Sequence, residues 1–439
     1  MVNQQMRNTL VALLLLPTLT KAQTIAQNAD ALLTAYSDQH KFSGTVLIAK
    51  EGKVVFEKAY GYADQKAGRL NTTTTEFRVG SLTKMFTSTL ILKLAQTSKL
   101  SLTDPVSKYV KGITGGDSIK LIHLLTHTSG INGNIETEVS TLEQFVANFK
   151  TQSLKFTPGS QFEYNNFNYI LLSYIAQKVT GVPYAKLLQT EVINKAGMIH
   201  SGLDKADRAS KVKALGYTTN PETALWQEVD DKNVALAAGA GALYSTAGDL
   251  YKWSQALSLH KLLPDSMWTK AMQPFVNGYG MGWMNSNAYG HTQIGHTGSI
   301  PGFIANFMKF PKEDITVILL SNYQDVDGNQ LSKDLAAVAF GEPFKLPVKK
   351  QAVALSADVL NKLVGEYRLP NGFSITVSVD GNKLYALAAG DPTRIELTPE
   401  SETRFFLKGP ETEVQFLEEN GAKYMFVNMQ GGMKFEKAK

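Results

Sequence analysis

The apolar residues of this chain change their spacing twice. After a helical pattern at Ile25–Tyr36, the segment Gly44–Lys58 alternates like a hairpin, with Val46, Leu47 and Ile48, a turn at Glu51-Gly52, then Val54, Val55 and Phe56. From Ser81 to about Leu263 the spacing is mostly helical, broken by turn residues at Ser129-Gly130 and Pro158-Gly159. Strand patterns return at Gln293–Pro311 and Ile315–Ser321, joined at Lys312-Glu313-Asp314, and a helix over Gly328–Phe340 closes the unit. Pro343 and Pro347 bracket a basic linker over 344–354, and beyond it short alternating strands turn at Asp380-Gly381, Gly390-Asp391 and Glu419-Asn420-Gly421. The expected organisation is a leader over 1–22, a larger unit of sheet and helices over 23–343, the linker, and a small all-β, barrel-like domain over 355–439.

The leader reads as a secretory signal: Arg7 gives a positive start, Thr9–Leu19 is apolar, and Thr20-Lys21-Ala22 puts small residues at −3 and −1 before Gln23. The apolar run is shorter than the roughly 20 residues that span a bilayer, and Pro17 interrupts it, so cleavage is expected rather than an anchor. The expected location is secreted, in the periplasm, with no stable membrane anchor after cleavage. Removing Arg7 and Lys21 with the leader takes the formal charge from +5 to +3, too mild to argue for a nucleic-acid partner. With no cysteine there are no disulfides, lipidated thiols or thiolate metal sites.

The chain has no G-x-S-x-G, H-E-x-x-H or P-loop pattern, and His40, His200, His260 and His291 are too scattered for a metal site. No cofactor is therefore expected. Trp226, Trp253, Trp268 and Trp283 fit core or cleft wall better than a stacking face for bases. S-x-x-K occurs three times, at Ser81-Lys84, Ser210-Lys213 and Ser258-Lys261. The second lies among charges and the third at an exposed helix end, so both read as surface. Ser81 instead follows Gly80 and opens a helix over Leu82–Ala95 with little polar face, in which Lys84 is the one charged residue between Arg78 and Lys93. Burial of an ammonium lowers its pKa, and three residues along a helix share a face, so Lys84 can take the Ser81 proton. Free N–H groups at the helix start favour the oxyanion that forms. A serine N-cap with a snorkelling lysine fits this motif equally well.

Tyr164-Asn165-Asn166, just before a helical run over Tyr169–Val179, adds a phenol to relay a proton and an amide, Asn166, to orient Lys84 and substrate. Alone it would read as a helix-capping turn. Gly295-His296-Thr297-Gly298-Ser299 is a glycine-bracketed strand edge: His296 and Thr297 can donate to a carboxylate or carbonyl, and the Ser299 N–H can share an oxyanion with that of Ser81. Alone it would read as a tight turn.

Together these motifs resemble the serine β-lactamase-related family, in its class C β-lactamase, D-alanyl-D-alanine carboxypeptidase and family VIII esterase branch. The order Ser81, Tyr164, His296 matches, as do the flanks Val79–Lys84, His123–Gly130 and Gly241–Asp249, and the resemblance runs from about Ala31 to Phe340. It implies an α/β fold, an antiparallel sheet flanked by helices plus an all-helical region, with the site between them. It also implies that Ser81 is acylated, Lys84 is the base and Tyr164 the proton relay. Asn166 would contact lysine and substrate, His296, Thr297, Gly298 and Ser299 would form the wall, and His127 and Asp249 would be structural. His296 stands where efficient β-lactamases carry lysine, which points to D-amino-acid peptidases and esterases. The expected substrate is a small molecule or peptide, peptidoglycan-derived peptides included, bearing D-amino-acid amides, β-lactam-like amides or small esters. A penicillin-binding or peptide-sensing protein without turnover is the alternative, and a ligand-binding C-terminal unit on a hydrolase scaffold a third. The resemblance further suggests a lipocalin-like C-terminal domain.

Overall fold

A computed structural model describes residues 22–135, 139–204, 211–220, 223, 225–229, 234–348, 350–407, 412–428 and 432–438. The leader, Ala22 excepted, lies outside these, as does Ser210 of the second S-x-x-K. Two compact units emerge, one of residues up to 218 with 227–346, the other of 219–226 with 347–439.

The larger unit begins with a helix over residues 22–38 (α1). The hairpin expected at Gly44–Lys58 follows as β1 (Gly44–Lys50) and β2 (Lys53–Tyr60). The apolar run around Ser81 forms a 3-10 turn, Gly80–Leu82, and then α2 (Thr83–Gln96), so the nucleophile sits in the turn that feeds the helix rather than in the helix itself. The helix foreseen over Tyr169–Val179 starts three residues earlier, as α3 (Asn166–Thr180), because Asn165 caps it by accepting from the Phe167 N–H. Further along come α4 (Ala247–Ser258), β3 (Met284–Ala288), β4 (His291–Ile300), β5 (Phe303–Phe310), β6 (Ile315–Ser321) and α5 (Gly328–Phe340). The pattern over Gln293–Pro311 is thus two strands, turned at Pro301-Gly302, where Gly302 takes φ +83°.

These six strands form one antiparallel sheet in the order β3-β4-β5-β6-β1-β2, so the N-terminal hairpin completes a sheet whose other strands lie more than 200 residues away. Gly44 pairs with Ser321 and Lys50 with Ile315. β1, β5 and β6 are buried almost throughout because α4 covers β1 and β6 on one face while α5 packs on β1, β5 and β6. Two covered faces are why these strands read as apolar runs rather than as alternation. The helical region is fastened by a smaller sheet of three short strands, Phe77–Arg78, Leu243–Ser245 and Gly202–Leu203.

The joint between sheet and helices is aromatic. Trp253 of α4 stacks on Phe86 of α2 at 4.2 Å and on Trp283 at 5.4 Å, with Phe307 of β5 edge-on at 5.7 Å. Trp268 meets Trp283 edge-on, which puts three of the four tryptophans in the core.

In the second unit, eight strands close an antiparallel barrel: β7 (Gly365–Arg368), β8 (Ser374–Asp380), β9 (Lys383–Ala388), β10 (Ile395–Pro399), β11 (Arg404–Phe406), β12 (Glu413–Glu419), β13 (Ala422–Asn428) and β14 (Met433–Lys437). Each pairs with the next, and Tyr367↔Lys437 closes the ring. The alternation seen in the sequence is the inside–outside pattern of a small barrel, filled by side chains such as Tyr367, Leu384, Phe405, Met425 and Phe435.

Because Trp253 touches both layers, Trp253→Ala should lower stability by about 3–5 kcal/mol, read from urea unfolding of the purified protein.

Candidate active site

Ser81 lies where the head of α2 meets the free edge of β4. β3 pairs with β4 only from Met284↔Gly295 to Ala288↔His291, so His296–Ile300 keep an open edge on that side. Two glycines let this edge reach the nucleophile. Gly80, at φ +51°, would carry a Cβ 3.0 Å from the Ser299 backbone N and O, and a Cβ on Gly298 would fall 2.1 Å from the Val79 carbonyl. The Ser299 backbone therefore lies against the turn that presents Ser81. Ser81 is at the start of a helical run, so its N–H has no partner within the helix and, with the Ser299 N–H, is available to a developing oxyanion.

Lys84 is fully buried, and its Nζ has three close neighbours: Ser81 Oγ at 3.0 Å, Asn166 Oδ1 at 2.8 Å and the Ala240 carbonyl at 2.8 Å. Burial pushes its pKa from 10.5 down to about 7. A neutral amine has two N–H donors and one lone pair. Asn166 Oδ1 and the Ala240 oxygen can only accept, so they take both hydrogens and the lone pair is left for the Ser81 hydroxyl, which donates to it. This is the arrangement of a general base with its nucleophile.

Tyr164 stands over the same amine, with Lys84 Nζ 4.8 Å from its ring centroid. The ring is 37% exposed, while the hydroxyl lies beside Ser81. Desolvation pushes the phenol up to about 12, partly offset by the Ser81 contact, so it keeps its proton at neutral pH and can give it to a leaving group. Its ring rests 4.3 Å from that of His127, whose Nδ1 accepts from the Asn165 N–H at 3.1 Å. Ser129 donates to Asn168 Oδ1 at 2.8 Å, so the His127–Ser129 turn holds Tyr164 and the α3 cap in register. Asp249 accepts from the His200 N–H and Ser201 Oγ and pairs with Lys252, away from the chemistry.

His296 departs from expectation. It is buried, its Nδ1 donates to the Thr297 carbonyl at 2.6 Å, and its Nε2 therefore accepts from Tyr279 Oη at 3.0 Å. Desolvation, then the nearby Lys84, pushes its pKa down to about 3. The ring is neutral and both nitrogens are committed, so His296 has no N–H to offer a substrate and acts as a positioned wall. Thr297 and Ser299 alternate with it and are exposed, while Gly298 faces the turn. Ser258 and Lys261, the third S-x-x-K, are exposed at the end of α4.

Three contributors carried no recognised signal in the sequence. The Ala240 carbonyl is backbone, foreshadowed only by the small-residue run Ala237–Ala242. Tyr279, bonded to His296, sits in the glycine-rich string Gly278–Trp283. Tyr169, whose hydroxyl donates to the Leu125 carbonyl at 2.6 Å, floors the site on α3. Among the described residues, no group of His, Cys, Asp or Glu comes together as a metal site, and no helix is long and apolar enough to cross a membrane.

Residues 29–340 match the family described as Beta-lactamase, and residues 349–438 match a domain of unknown function (DUF3471). A relative from Bacillus subtilis (strain 168) named as a penicillin-binding protein is 28% identical over 447 residues, covering 94% of this chain and 98% of its own length. Among solved structures, the octameric penicillin-binding protein homologue from Pyrococcus abyssi superposes with a TM-score of 0.66 at 25% identity, over 94% of this chain and 99% of that one. A D-stereospecific amidohydrolase from Streptomyces sp. gives a TM-score of 0.60 at 25% identity, over 72% of this chain and 98% of that one.

Gly298→Ala should push β4 off the Ser81 turn and cost about 100-fold in kcat/KM for a nitrophenyl ester, with the circular dichroism spectrum unchanged. The pH profile of kcat/KM should rise through about 7 as Lys84 loses its proton, then stay flat until Tyr164 ionises near 12.

Proposed function

The chain belongs to the β-lactamase family of serine hydrolases, and from that premise we propose that it hydrolyses amide or ester bonds of D-amino-acid-containing peptides through an acyl-enzyme on Ser81. The observation that carries this reading is the Lys84 amine, 3.0 Å from Ser81 Oγ with both its hydrogens taken by other acceptors. In the first half-reaction Lys84 removes the Ser81 proton as Oγ bonds to the scissile carbonyl carbon. The oxyanion rests between the Ser81 and Ser299 N–H groups. The C–N or C–O bond then breaks, Tyr164 gives its proton to the leaving atom, and the proton held on Lys84 restores the phenol. In the second half a water adds to the acyl carbon with Lys84 as base, releasing the acid and returning the proton to Ser81.

The substrate class is supported by the third motif and by a relative. A lysine in place of His296 would set a fixed positive charge against the carboxylate of a β-lactam; the neutral imidazole, with both nitrogens committed, offers none. Rapid β-lactam turnover is therefore not expected. The resemblance to a D-stereospecific amidohydrolase favours amides that carry a D-residue. The reading includes export, supported by the leader pattern over 1–22.

Intact mass spectrometry after mixing with a nitrophenyl ester, a D-alanyl-D-alanine peptide or a penicillin tests this. A transient adduct on Ser81 with steady release of product from the ester and the peptide, both lost in Ser81→Ala, is expected. Hydrolysis that survives Ser81→Ala refutes it, and a burst with no steady state would make the protein a peptide-binding sensor.

A further inference from the structure

Tyr164, the proton donor of the mechanism above, precedes α3 and is more than a third exposed, yet its ring stays over Lys84. A single residue from another segment holds it there. The His127 carbonyl accepts from the Glu163 N–H at 2.9 Å, its Nδ1 accepts from the Asn165 N–H at 3.1 Å, and its ring lies 4.3 Å from the Tyr164 ring with the planes 33° apart. The chain on both sides of the phenol and the phenol ring between them are thus tied to His127. The rings of Tyr279 and His296 stand farther from Tyr164, at 6.3 Å each.

His127 is fully buried and takes φ +54°, a left-handed conformation that a non-glycine residue keeps only where its surroundings over-determine it. Here the Thr128 N–H donates to the His123 carbonyl at 2.8 Å and the Gly159 N–H to the Thr128 carbonyl at 2.7 Å, which fixes the turn. Burial, then the charge of Lys84, pushes the imidazole pKa well below its usual value, so the ring is neutral. Asn168, whose Oδ1 is taken by Ser129, directs its Nδ2 to the same Nδ1 at 3.3 Å. Nδ1 is therefore the acceptor and Nε2 carries the proton, although Nε2 is buried with no hydrogen-bond partner. An apolar ring would fill the space without stranding a donor. What the imidazole adds is Nδ1, and Nδ1 engages the backbone next to Tyr164.

We infer that His127 is a positioning residue for the proton donor, holding the Tyr164 hydroxyl where the departing atom can take its proton. The base is fastened separately: Asn165 caps α3 through its own Oδ1, at 2.9 Å from the Phe167 N, and reaches the Ile131 carbonyl through Nδ2 at 3.0 Å, while Asn166 stays on Lys84. Loss of the imidazole should loosen the phenol more than the amine. The inference rests on the acyl-enzyme reading above and adds no bond change to it.

A positioning role and a scaffold role part on the leaving group, since an alkoxide must be protonated as it departs and a nitrophenolate leaves without help. The purified full chain is assayed with the methyl and nitrophenyl esters of N-acetyl-D-alanine. His127→Phe, which keeps a ring and removes Nδ1, should lower kcat/KM about 100-fold for the methyl ester and less than about tenfold for the nitrophenyl ester. Tyr164→Phe should show the same selectivity, and adding His127→Phe to it should cost the methyl ester no more than about threefold further. His127→Asn, which suits a positive φ and keeps an acceptor but has no ring to stack on the phenol, should show the selectivity to a smaller degree and serves if the Phe variant does not fold. Equal losses on the two esters, or full additivity with Tyr164→Phe, overturn the inference, while a Ser81 adduct in the wild type leaves the acyl-enzyme reading standing. No adduct in the wild type brings down both.

Discussion

The chemistry of this molecule depends on keeping one amine dry. α2 is buried nearly all round, and Lys84 is carried into the interior with it. A buried ammonium would have to find compensation for lost hydration, and among the described residues no carboxylate is paired with this one. Its close polar neighbours are two carbonyl-type oxygens and an alcohol. Such a set serves either protonation state: an ammonium can donate to all three, while a neutral amine donates to the two carbonyl-type oxygens and takes the alcohol's proton on its lone pair. Burial is what tips the balance, bringing the pKa down to about 7 so that the neutral base is populated near neutral pH.

Holding that amine in place requires distant parts of the chain. The Ala240 carbonyl comes from the Ala238–Gly241 helical turn, Asn166 from the first turn of α3, and the opposing strand edge from β4. Each is fixed by a local device. Gly239 lies close to Tyr169 and Thr87, and Thr87 donates to the Gly239 carbonyl at 2.6 Å while meeting Tyr184 Oη at 2.7 Å. Asn165 is pinned through His127, and β4 by the contacts of Gly80 and Gly298. The sheet itself closes only when β1 finds β6 at the other end of the unit. Such pairings carry a loop-closure cost before any contact is gained.

The architecture was readable in the sequence where burial leaves a periodic mark. The hairpin at Gly44–Lys58, the apolar strand Ile315–Ser321 and α5 all announce themselves in this way. β3 does not: Met284-Asn285-Ser286-Asn287-Ala288 has two asparagines, which are depleted in strands, and it becomes one by pairing with β4 beside a polar cleft. The start of α3 was hidden because Tyr164-Asn165-Asn166 looks like loop chemistry, yet the same asparagine supplies the cap. The nucleophile, its base and the phenol were visible as side chains at characteristic spacing. The Ala240 carbonyl was not, since a backbone acceptor has no letter of its own. His296 was visible as a residue but not as a role, because only the structure shows Tyr279 and the Thr297 carbonyl engaging its two nitrogens.

That engagement sets how the cleft can discriminate. With His296 neutral, the third motif carries no fixed cation, and what it presents beside Ser81 is the open backbone edge of β4. Such groups reward a ligand that satisfies donors and acceptors in fixed positions and reject one that leaves them dry, since an unpaired buried polar group costs about 1–3 kcal/mol. The same neutrality protects the base: a cation in the position of His296 would stabilise the anionic states of the reaction, but it would also repel a proton from Lys84 and weaken it as a base for Ser81.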